Sequence, residues 1–314
     1  MAWTASQMPD QSGKTVIVTG GNGGLGLETG REMARRGAHV IIAARNLDKA
    51  AKAEADIRGK LPDASIEVRQ LDLASKSSIK AFADSITGDF EAIDILFNNA
   101  GVMALPEGKT EDGFEMQFGT NHLGHFYLTY LLMPLLLNAA EARIVNTTST
   151  ARFSAGEYDL SNAHSEGNYK PWEAYGISKR ANLHFAMELN NRLAAAGAAA
   201  KAYSADPGFS NTDLQAASAR ASGGGISQGF FAKAVPIVGQ NAARGALPQL
   251  QAGTDPTAPG GALFRPRWVV RGDSVQGKIG DKLSKPQDLK ELWDISEKDM
   301  GIDFDVAAMV AAAK

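Results

Sequence analysis

A tyrosine and a lysine four residues apart, Tyr175 and Lys179, form the pair in this sequence best suited to proton transfer. On a helix, residues at i and i+4 are neighbours, with Cβ atoms about 5–6 Å apart. A free tyrosine has a pKa of about 10, so it transfers protons poorly at neutral pH unless a positive charge stabilises the phenolate. At about 5 Å and an effective dielectric of about 20, Coulomb's law gives about 3 kcal/mol, so we expect Lys179 to lower the pKa of Tyr175. The spacing alone is a weak signal, because exposed Tyr–Lys pairs are common on amphipathic helices.

A glycine-rich stretch follows the first predicted strand and opens a helix. The strand, residues 14–19, is a β-branched run that suits a central parallel strand, and the helix covers residues 27–36. Between them the chain fits G-x-G-x-x-G at Gly21, Gly23 and Gly26, and it also fits T-G-x-x-x-G-x-G from the last residue of the strand. Glycines let a backbone approach a ligand closely, and a helix N-terminus offers free N–H groups. The stretch predicts a dinucleotide site, and a flexible glycine-rich turn is the alternative.

The second predicted strand, residues 39–43, is followed by an arginine where an NAD-binding fold carries an acid for the ribose hydroxyls. Arg45 can pair with a 2′-phosphate, so the sequence favours NADP(H) over NAD(H). The alternative is a solvated surface arginine. After the third predicted strand, residues 65–70, Asp72 and Leu73 lie where they could contact the edge of an adenine ring.

The remaining strands and helices alternate along the chain. Further strands are predicted at residues 93–97, 143–147, 200–205 and 261–264. Helices are predicted at residues 47–60, 75–87, around 113–138, 175–196, 240–251 and 286–298. This alternation implies a single doubly wound α/β Rossmann domain, with a seven-stranded parallel sheet in the order 3-2-1-4-5-6-7 and helices on both faces. Residues 1–12 are predicted to be a tail, 209–238 a mobile substrate lid rich in Ala, Gly and Ser, and 266–314 a C-terminal extension.

Composition and charge exclude several classes of function. The chain has 314 residues, of which 44% are hydrophobic and 21% charged, as is typical of a soluble globular protein. A net charge of -3 without a basic cluster argues against nucleic-acid binding. The absence of cysteine excludes a disulfide framework or a thiolate metal site, and no metal site is predicted. Residues 1–11 carry no targeting signal or membrane anchor and no apolar run is long enough to span a bilayer, so we expect a cytoplasmic protein.

In their order along the chain, these motifs resemble those of the short-chain dehydrogenase/reductase superfamily. The resemblance covers about residues 13–265 and rests on residues 19–26, 98–101 and 207–208 together with Asn121, Ser149, Tyr175 and Lys179. Within the superfamily, residues 112–126 (DGFEMQFGTNHLGHF) and 291–296 (ELWDIS) are similar to the retinol dehydrogenase-like and WW-domain oxidoreductase-like branch. The chain departs from the membrane-bound members of that branch in lacking an N-terminal anchor, which argues against a retinoid substrate.

The resemblance implies a role for each matching residue. Ser149 binds the substrate oxygen and Tyr175 transfers the proton. Lys179 lowers the pKa of Tyr175 and bonds the nicotinamide ribose, and Asn121 holds a water of the proton relay. The motifs and the resemblance together predict cofactor contacts from Gly20, Asn22, Gly24, Leu25, Gly26, Arg45, Asp72, Leu73, Asn99, Ala100, Gly101, Tyr175, Lys179, Pro207, Gly208 and the carboxamide-binding Thr212. For Asn99, a structural role is at least as good an interpretation.

The sequence therefore predicts an NADP(H)-dependent alcohol dehydrogenase or carbonyl reductase that acts on a small apolar alcohol or carbonyl compound. Two alternatives stay open. One is an NADPH-dependent reductase of carbon–carbon double bonds on the same fold, and the other is a non-catalytic NADP-binding regulator, a class that usually lacks the tyrosine or the lysine. No nucleic-acid partner is expected, and a homo-oligomer is compatible with the sequence. Residues 153–172 are expected to shape the substrate mouth, because they are too many for a tight connection.

Overall fold

The computed structural model describes residues 3–156, 158–210 and 240–313 of the chain. Eight β-strands form one sheet. Their bounds are β1 Thr15–Thr19, β2 His39–Ala44, β3 Ile66–Gln70, β4 Ile95–Asn98, β5 Arg143–Thr147, β6 Lys201–Ala205, β7 Leu263–Pro266 and β8 Ser274–Gly277. The first seven lie within two residues of the predicted positions.

Helices cover both faces of this sheet. Their bounds are α1 Gly24–Arg35, α2 Leu47–Lys60, α3 Lys76–Asp89, α4 Met116–Phe118, α5 Gly124–Asn138, α6 Pro171–Ala195, α7 Ala242–Thr254, α8 Pro286–Met300 and α9 Val306–Ala312. A π-helix, Gly119–Leu123, joins α4 to α5. Short 3-10 helices cover Ala5–Gln7, Thr150–Ser154, Leu160–Asn162 and Asp281–Leu283.

The sheet has the order β3-β2-β1-β4-β5-β6-β7-β8. Strands β1 to β7 pair in parallel, so the predicted doubly wound α/β fold is confirmed. The sheet has one strand more than predicted, because β8 pairs antiparallel with β7 at the outer edge. This strand is short and polar, and Ser274 is its one fully buried residue. It therefore lacks the continuous apolar run that identifies a strand buried on both faces.

Two apolar layers hold the sheet between them. The inner strands β1 and β4 are buried almost throughout, which is why their sequences are β-branched and aliphatic. One layer packs residues of α3, α5, α6 and α8 on the sheet, and the other packs residues of α1, α2 and α7. In the first layer the ring centres of Phe126 and Trp293 lie 5.1 Å apart. Helix α8 near the C-terminus is therefore part of the core.

The long helix predicted around residues 113–138 is interrupted by the π-helix Gly119–Leu123. Its signature is a hydrogen bond from the Gly124 N–H to the Gly119 carbonyl, five residues back. Close neighbours require both glycines, since a Cβ at Gly124 would lie 2.4 Å from the Leu73 carbonyl oxygen and one at Gly119 would lie 2.6 Å from Thr110 Cγ2. An extra residue in a helical turn often marks a functional site. Asn121 lies in this turn.

The residues before β1 pack onto the far edge of the sheet. The Trp3 N–H donates to the Ser274 carbonyl at 2.9 Å, and Trp3 and Met8 are both buried. The predicted substrate lid, residues 209–238, lies outside the described residues except for Phe209 and Ser210. The division of the chain into tail, lid and C-terminal extension stays a prediction.

Candidate active site

The predicted site residues gather at the carboxyl ends of the parallel strands. Gly101 follows β4, Ser149 follows β5, and Pro207 and Gly208 follow β6. In an open α/β sheet, ligands bind in the crevice at this edge, where the strand order reverses. Here the order reverses between β1 and β4. The glycine-rich loop after β1 and the residues after β4 therefore stand on either side of the crevice.

Ser149 reaches Tyr175 because the 3-10 helix Thr150–Ser154 packs directly on α6. The contact depends on Gly176, where a Cβ would lie 2.7 Å from the Ala151 carbonyl oxygen. The Ser149 hydroxyl accepts the Ala151 N–H at 3.2 Å, and it lies close enough to the Tyr175 phenol to lower the pKa of that phenol. The serine and the tyrosine therefore present two hydroxyl groups at one place.

Tyr175 is buried, with 5% of its surface exposed. Burial raises the pKa of its phenol far above the ordinary value, the Ser149 hydroxyl lowers it, and the Asp206 carboxylate raises it. The net direction is opposite to the one expected from Lys179. The Lys179 ammonium does lie 5.8 Å from the centre of the tyrosine ring. In the protein alone, the cost of burying a phenolate away from water outweighs the attraction between that phenolate and the Lys179 ammonium.

Lys179 is also buried and lies over Gly101. A Cβ at Gly101 would lie 3.3 Å from Lys179 Nζ and 3.0 Å from Asn121 Oδ1, so these three residues surround one small space. Lys179 Nζ donates to the Thr147 carbonyl at 3.2 Å, and the Thr148 hydroxyl donates to the Lys179 carbonyl at 2.6 Å. The end of β5 therefore fixes this turn of α6. Burial lowers the pKa of Lys179 to about 8, against a nearby carboxylate that raises it.

Asn121 uses its side chain to hold the structure together. Its Oδ1 accepts the Val102 N–H at 2.7 Å. Its Nδ2 donates to the Val102 carbonyl and to the Ser178 hydroxyl, both at 2.9 Å. These bonds fasten the segment after β4 to α6. The Asn121 carbonyl is hydrogen-bonded to His125 Nδ1 at 2.9 Å. The role of Asn121 in holding a relay water stays a prediction.

The glycine-rich loop forms a tight cradle between β1 and α1. Gly20 and Gly24 have φ angles of 67° and 52°, in the left-handed region that favours glycine. A Cβ at Gly26 would lie 2.4 Å from the Gly20 carbonyl oxygen, so the loop folds back on the first turn of α1. Asn22 is half-buried in the loop, and Leu25 lies in that first turn. A loop made almost entirely of glycine in front of a helix N-terminus fits a pyrophosphate, and these residues would hold one.

Thr19 and Asn99 lock this loop to the end of β4. The Thr19 hydroxyl accepts the N–H groups of Asn99 and Ala100 at 2.9 and 3.0 Å. Asn99 Nδ2 donates to the Thr19 carbonyl at 2.8 Å, and Asn99 Oδ1 lies 3.4 Å from Gln249 Nε2 in α7. The Asn99 side chain is therefore used structurally. Contacts of Asn99 and Ala100 with a cofactor stay predictions.

Arg45 lies at the end of β2 with 69% of its side chain exposed. Its Nη1 is 4.0 Å from Asp72 Oδ2, a weak contact between an exposed and a half-buried side chain. Asp72 Oδ1 also accepts the Ala74 N–H at 3.0 Å, while Leu73 is buried against the glycine that begins α5. The structure therefore brings Arg45, Asp72 and Leu73 to one side of the crevice, and the arginine can turn toward an anion.

A buried ion pair joins the loops after β5 and β6. Arg152 pairs with Asp206, and their side chains are 4% and 1% exposed. Arg152 Nη1 also donates to the Ser149 carbonyl at 2.7 Å, and Asp206 Oδ1 accepts the Gly208 N–H at 2.9 Å. One pair of charges therefore fixes both Ser149 and the Pro207-Gly208 turn.

The Pro207-Gly208 turn packs against the loop that joins β7 to β8. Gly208 has a φ of 63°, and a Cβ there would lie 2.6 Å from the Val270 carbonyl oxygen. The Pro207 carbonyl accepts Gln240 Nε2 at 3.0 Å. The glycine is thus required by both its conformation and its neighbour. Thr212 lies outside the described residues, so its contact with a carboxamide stays a prediction.

Sequence reasoning missed three residues of this region: Arg152, Asp206 and Gln249. Gln249 accepts the Thr147 hydroxyl at 3.2 Å and donates to the Thr29 hydroxyl of α1, so it ties the site to two elements. Opposite charges next to the ends of neighbouring strands were a usable signal for the ion pair. Gln249 gave no signal beyond being a polar residue in a largely apolar helix.

Two other kinds of site are absent from residues 3–156, 158–210 and 240–313. No group of acidic and histidine side chains within these ranges could hold a metal ion. Among the helices of this described part of the chain, none is both long and apolar enough to cross a bilayer.

Comparisons with known proteins identify relatives of this chain. The sequence profile of the short chain dehydrogenase family matches residues 14–222. Retinol dehydrogenase 13 from Homo sapiens is 47% identical over 203 residues, a match that covers 64% of this chain and 60% of that protein. Retinol dehydrogenase 14 from Mus musculus is 36% identical over 307 residues, covering 92% and 86%. The crystal structure of an uncharacterised protein from Mycobacterium paratuberculosis is 37% identical, with a TM-score of 0.78 and coverage of 97% and 99%. The match to the human protein thus spans about three fifths of its length.

Proposed function

We propose that this chain, which belongs to the short-chain dehydrogenase family, interconverts a carbonyl group and an alcohol on a small apolar molecule with NADP(H) as its preferred cofactor. The chain falls in the retinol dehydrogenase-like branch and is an NAD(P)-dependent oxidoreductase acting on CH–OH groups. The cofactor preference, the substrate class and the residue roles are the content of the proposal.

The observation that carries the proposal is the meeting of Ser149, Tyr175 and Lys179 beside the glycine-rich cradle. When bound, a nicotinamide ring supplies or accepts the hydride. In this proposal the Ser149 and Tyr175 hydroxyls donate to the substrate oxygen, on which negative charge develops during reduction. Tyr175 then gives up its proton, and Lys179 supplies the nearby positive charge that limits the cost of the phenolate.

The raised pKa of Tyr175 has a directional consequence. Because burial keeps the phenol protonated in the protein alone, Tyr175 is ready to donate a proton to a carbonyl oxygen. Oxidation of an alcohol needs the deprotonated form, which becomes more populated as pH rises. We therefore expect the oxidation rate to increase from neutral to alkaline pH and the reduction rate to be higher at neutral pH.

Support for NADP(H) comes from Arg45. Its side chain is largely exposed at the end of β2, and its distance to the Asp72 carboxylate is at the limit of an ion pair. A 2′-phosphate is a stronger partner, because it carries more charge and three acceptor oxygens for a planar guanidinium. An acid at this position would favour NAD(H) instead, and position 45 holds none.

Support for an apolar substrate comes from aromatic rings in the segments next to Ser149 and Tyr175. Phe153, four residues after Ser149, is 65% exposed, and its ring lies 4.6 Å from the Arg152 guanidinium carbon. The ring of Trp172 lies 6.1 Å from that of Tyr175. Retinol, the alcohol in the names of the relatives, is a molecule of this class and belongs in a substrate panel with smaller aromatic and aliphatic compounds.

The test is a panel of carbonyl compounds and alcohols assayed with NADPH, NADH, NADP and NAD, read by the absorbance of the reduced nicotinamide. We expect turnover of apolar members with NADPH, identified as alcohol product by chromatography. A product reduced at a carbon–carbon bond, or tight NADPH binding without turnover of any member, would contradict the proposal.

The control variant for this assay is Tyr175→Phe. The ring still packs, so NADPH affinity measured by fluorescence should stay within a few-fold, while turnover should fall by more than about tenfold. Retention of most of the activity would remove Tyr175 from the mechanism.

The proposal also includes a cytoplasmic location for the enzyme. Fractionation of cells that produce the untagged chain tests this, and recovery with membranes after a high-salt wash would contradict it. Analytical ultracentrifugation of the purified protein would establish whether it forms a homo-oligomer.

A further inference from the structure

His125 lies in the first turn of α5 and is fully buried. Its Nδ1 is 2.9 Å from the Asn121 carbonyl oxygen, and its Nε2 is 2.9 Å from the Thr19 hydroxyl. Asn121 belongs to the π-helix beside the Lys179 ammonium, whereas Thr19 ends β1 where the glycine-rich cradle begins. One side chain therefore connects the proton-transfer residues with the dinucleotide cradle.

The hydrogen positions on this ring follow from its partners. A carbonyl oxygen can only accept, so Nδ1 carries a hydrogen and donates it to Asn121. Burial lowers the pKa of His125 to about 4, the bond to Asn121 raises it, and the Lys179 charge lowers it. The ring is therefore neutral at pH 7, and Nε2 has a free lone pair. The Thr19 hydroxyl donates to that lone pair.

This bond completes the hydrogen bonding of the Thr19 hydroxyl. Its two lone pairs accept the N–H groups of Asn99 and Ala100 at 2.9 and 3.0 Å. Its single hydrogen has two acceptors within reach, His125 Nε2 at 2.9 Å and the Phe97 carbonyl at 3.2 Å. The shorter contact is to the histidine. Without that acceptor the hydroxyl would turn to Phe97, and the fixed link between β1 and α5 would be lost.

We propose that His125 is a positioning residue, which holds the Asn121 carbonyl and the Thr19 hydroxyl at a fixed separation and so aligns the proton-transfer residues with the dinucleotide cradle. The inference rests on the proposed function and assigns His125 no contact with substrate or cofactor. A neutral imidazole suits this task, because it donates at one nitrogen and accepts at the other.

Two substitutions separate the two bonds. In His125→Asn the amide nitrogen replaces Nδ1 and keeps the bond to Asn121, but the side chain is too short to reach Thr19. In His125→Gln the amide oxygen replaces Nε2 and accepts from Thr19, while the bond to Asn121 is lost. We expect His125→Asn to weaken NADPH binding about tenfold with kcat within about threefold, and His125→Gln to lower kcat about tenfold with Kd within about threefold.

The matched control is His122→Asn. His122 is equally buried and lies next to Asn121, but its Nε2 is bonded to the Ser296 hydroxyl of α8 at 2.8 Å. This variant should lower Tm as much as the His125 variants while leaving both Kd and kcat unchanged. NADPH fluorescence titration gives Kd, and initial rates at saturating NADPH give kcat. The inference would be overturned if NADPH affinity and kcat fell by equal factors in each His125 variant. It would also be overturned if His122→Asn lowered either quantity as much as the His125 variants do.

The hydrogen positions are tested independently of turnover. The chain has 5 histidines, so long-range proton–nitrogen spectra of protein labelled at histidine nitrogen can be assigned by substitution. The resonance that disappears in His125→Asn should report a hydrogen on Nδ1 and none on Nε2. A hydrogen on Nε2 would overturn the inference. If the unmodified protein bound neither NADPH nor NADH, both the proposed function and this inference would be overturned. If the unmodified protein were active but the two His125 variants did not separate the effect on NADPH affinity from the effect on kcat, this inference alone would be overturned.

Discussion

Replacement of Arg152 is predicted to destabilise the protein in a pH-dependent way. The Arg152–Asp206 pair is almost fully buried, with side-chain exposures of 4% and 1%. Removing one partner of such a pair leaves an uncompensated charge in the interior, which costs about 3–5 kcal/mol. In Arg152→Met, which retains an apolar stem, the lone Asp206 carboxylate can avoid that cost by taking up a proton. The loss of unfolding free energy should therefore be smaller at pH 5 than at pH 8.

The matched variant is Asp206→Asn, which leaves the guanidinium of Arg152 without its partner. Arginine does not lose its proton in this pH range, so this loss should be about equal at both pH values. The double variant removes both charges and should recover much of the stability. For a chain of this length, an unfolding entropy of about 2.1 cal/mol/K per residue converts 3–5 kcal/mol into a fall in Tm of about 5–8 °C.

The assay is thermal unfolding of the four proteins at pH 5, 6.5 and 8, followed by tryptophan fluorescence. A fall in Tm for Arg152→Met that is the same at pH 5 and pH 8 would refute the reasoning, because it would mean that Asp206 stays charged without a partner. An unchanged Tm for either single variant would show that the pair is not buried in solution.

Three further predictions concern the site. Lys179→Met should raise the unfolding free energy at pH 7 by up to about 3 kcal/mol while abolishing turnover, because burial lowers the pKa of Lys179 from 10.5 to about 8. The charged form of Lys179 is thus penalised in the folded state, so the gain in unfolding free energy should shrink as pH rises from 8 toward 10.5. Chemical denaturation measures this gain, and a gain that stayed constant across that range would contradict the reasoning. Arg45→Ala should raise KM for NADPH about ten- to hundredfold and leave KM for NADH nearly unchanged, as measured by steady-state kinetics at low salt. Equal catalytic efficiency with both cofactors in the unmodified enzyme would show that Arg45 does not select NADPH over NADH. Gly26→Ala should abolish measurable NADPH binding by fluorescence titration, because its Cβ would lie 2.4 Å from the Gly20 carbonyl oxygen, whereas Gly88→Ala, with nothing within 4 Å, should bind normally.

Most of the fold was predictable from the sequence, because the inner strands and their helices have strong local patterns. Residues 14–19 form a continuous β-branched run that ends in glycines, and such a run is expected of a parallel strand buried on both faces. Strand β8 could not be predicted in this way, since Ser274–Gly277 is polar and pairs at an edge. The π-helix also escaped prediction, because no local pattern marks it and its close contact, Gly124 with Leu73, joins residues that are distant in sequence.

The sequence allowed us to predict that the candidate site residues gather at one edge of the sheet, but not what their electrostatic environment is. The spacing of Tyr175 and Lys179 correctly places the ammonium near the phenol ring. Spacing carries no information on burial, and burial decides the direction of the Tyr175 pKa. The Arg152–Asp206 pair was missed for a related reason, because opposite charges next to two strand ends become a signal only once β5 and β6 are treated as neighbours.

The contact between Trp3 and Ser274 has a consequence for the order of folding. It is an antiparallel bridge between a residue near the start of the chain and one in β8, so it closes a loop of almost the whole sequence. During synthesis the ribosome must release nearly all of the chain before this bridge can form, and loop-closure entropy delays contacts of such long range. The sheet should therefore grow outward from β1 and β4, and its β8 edge should stay unpaired until last. A nascent or truncated chain would expose that edge to pairing with other strands, which makes the closure of the bridge a late protection against aggregation.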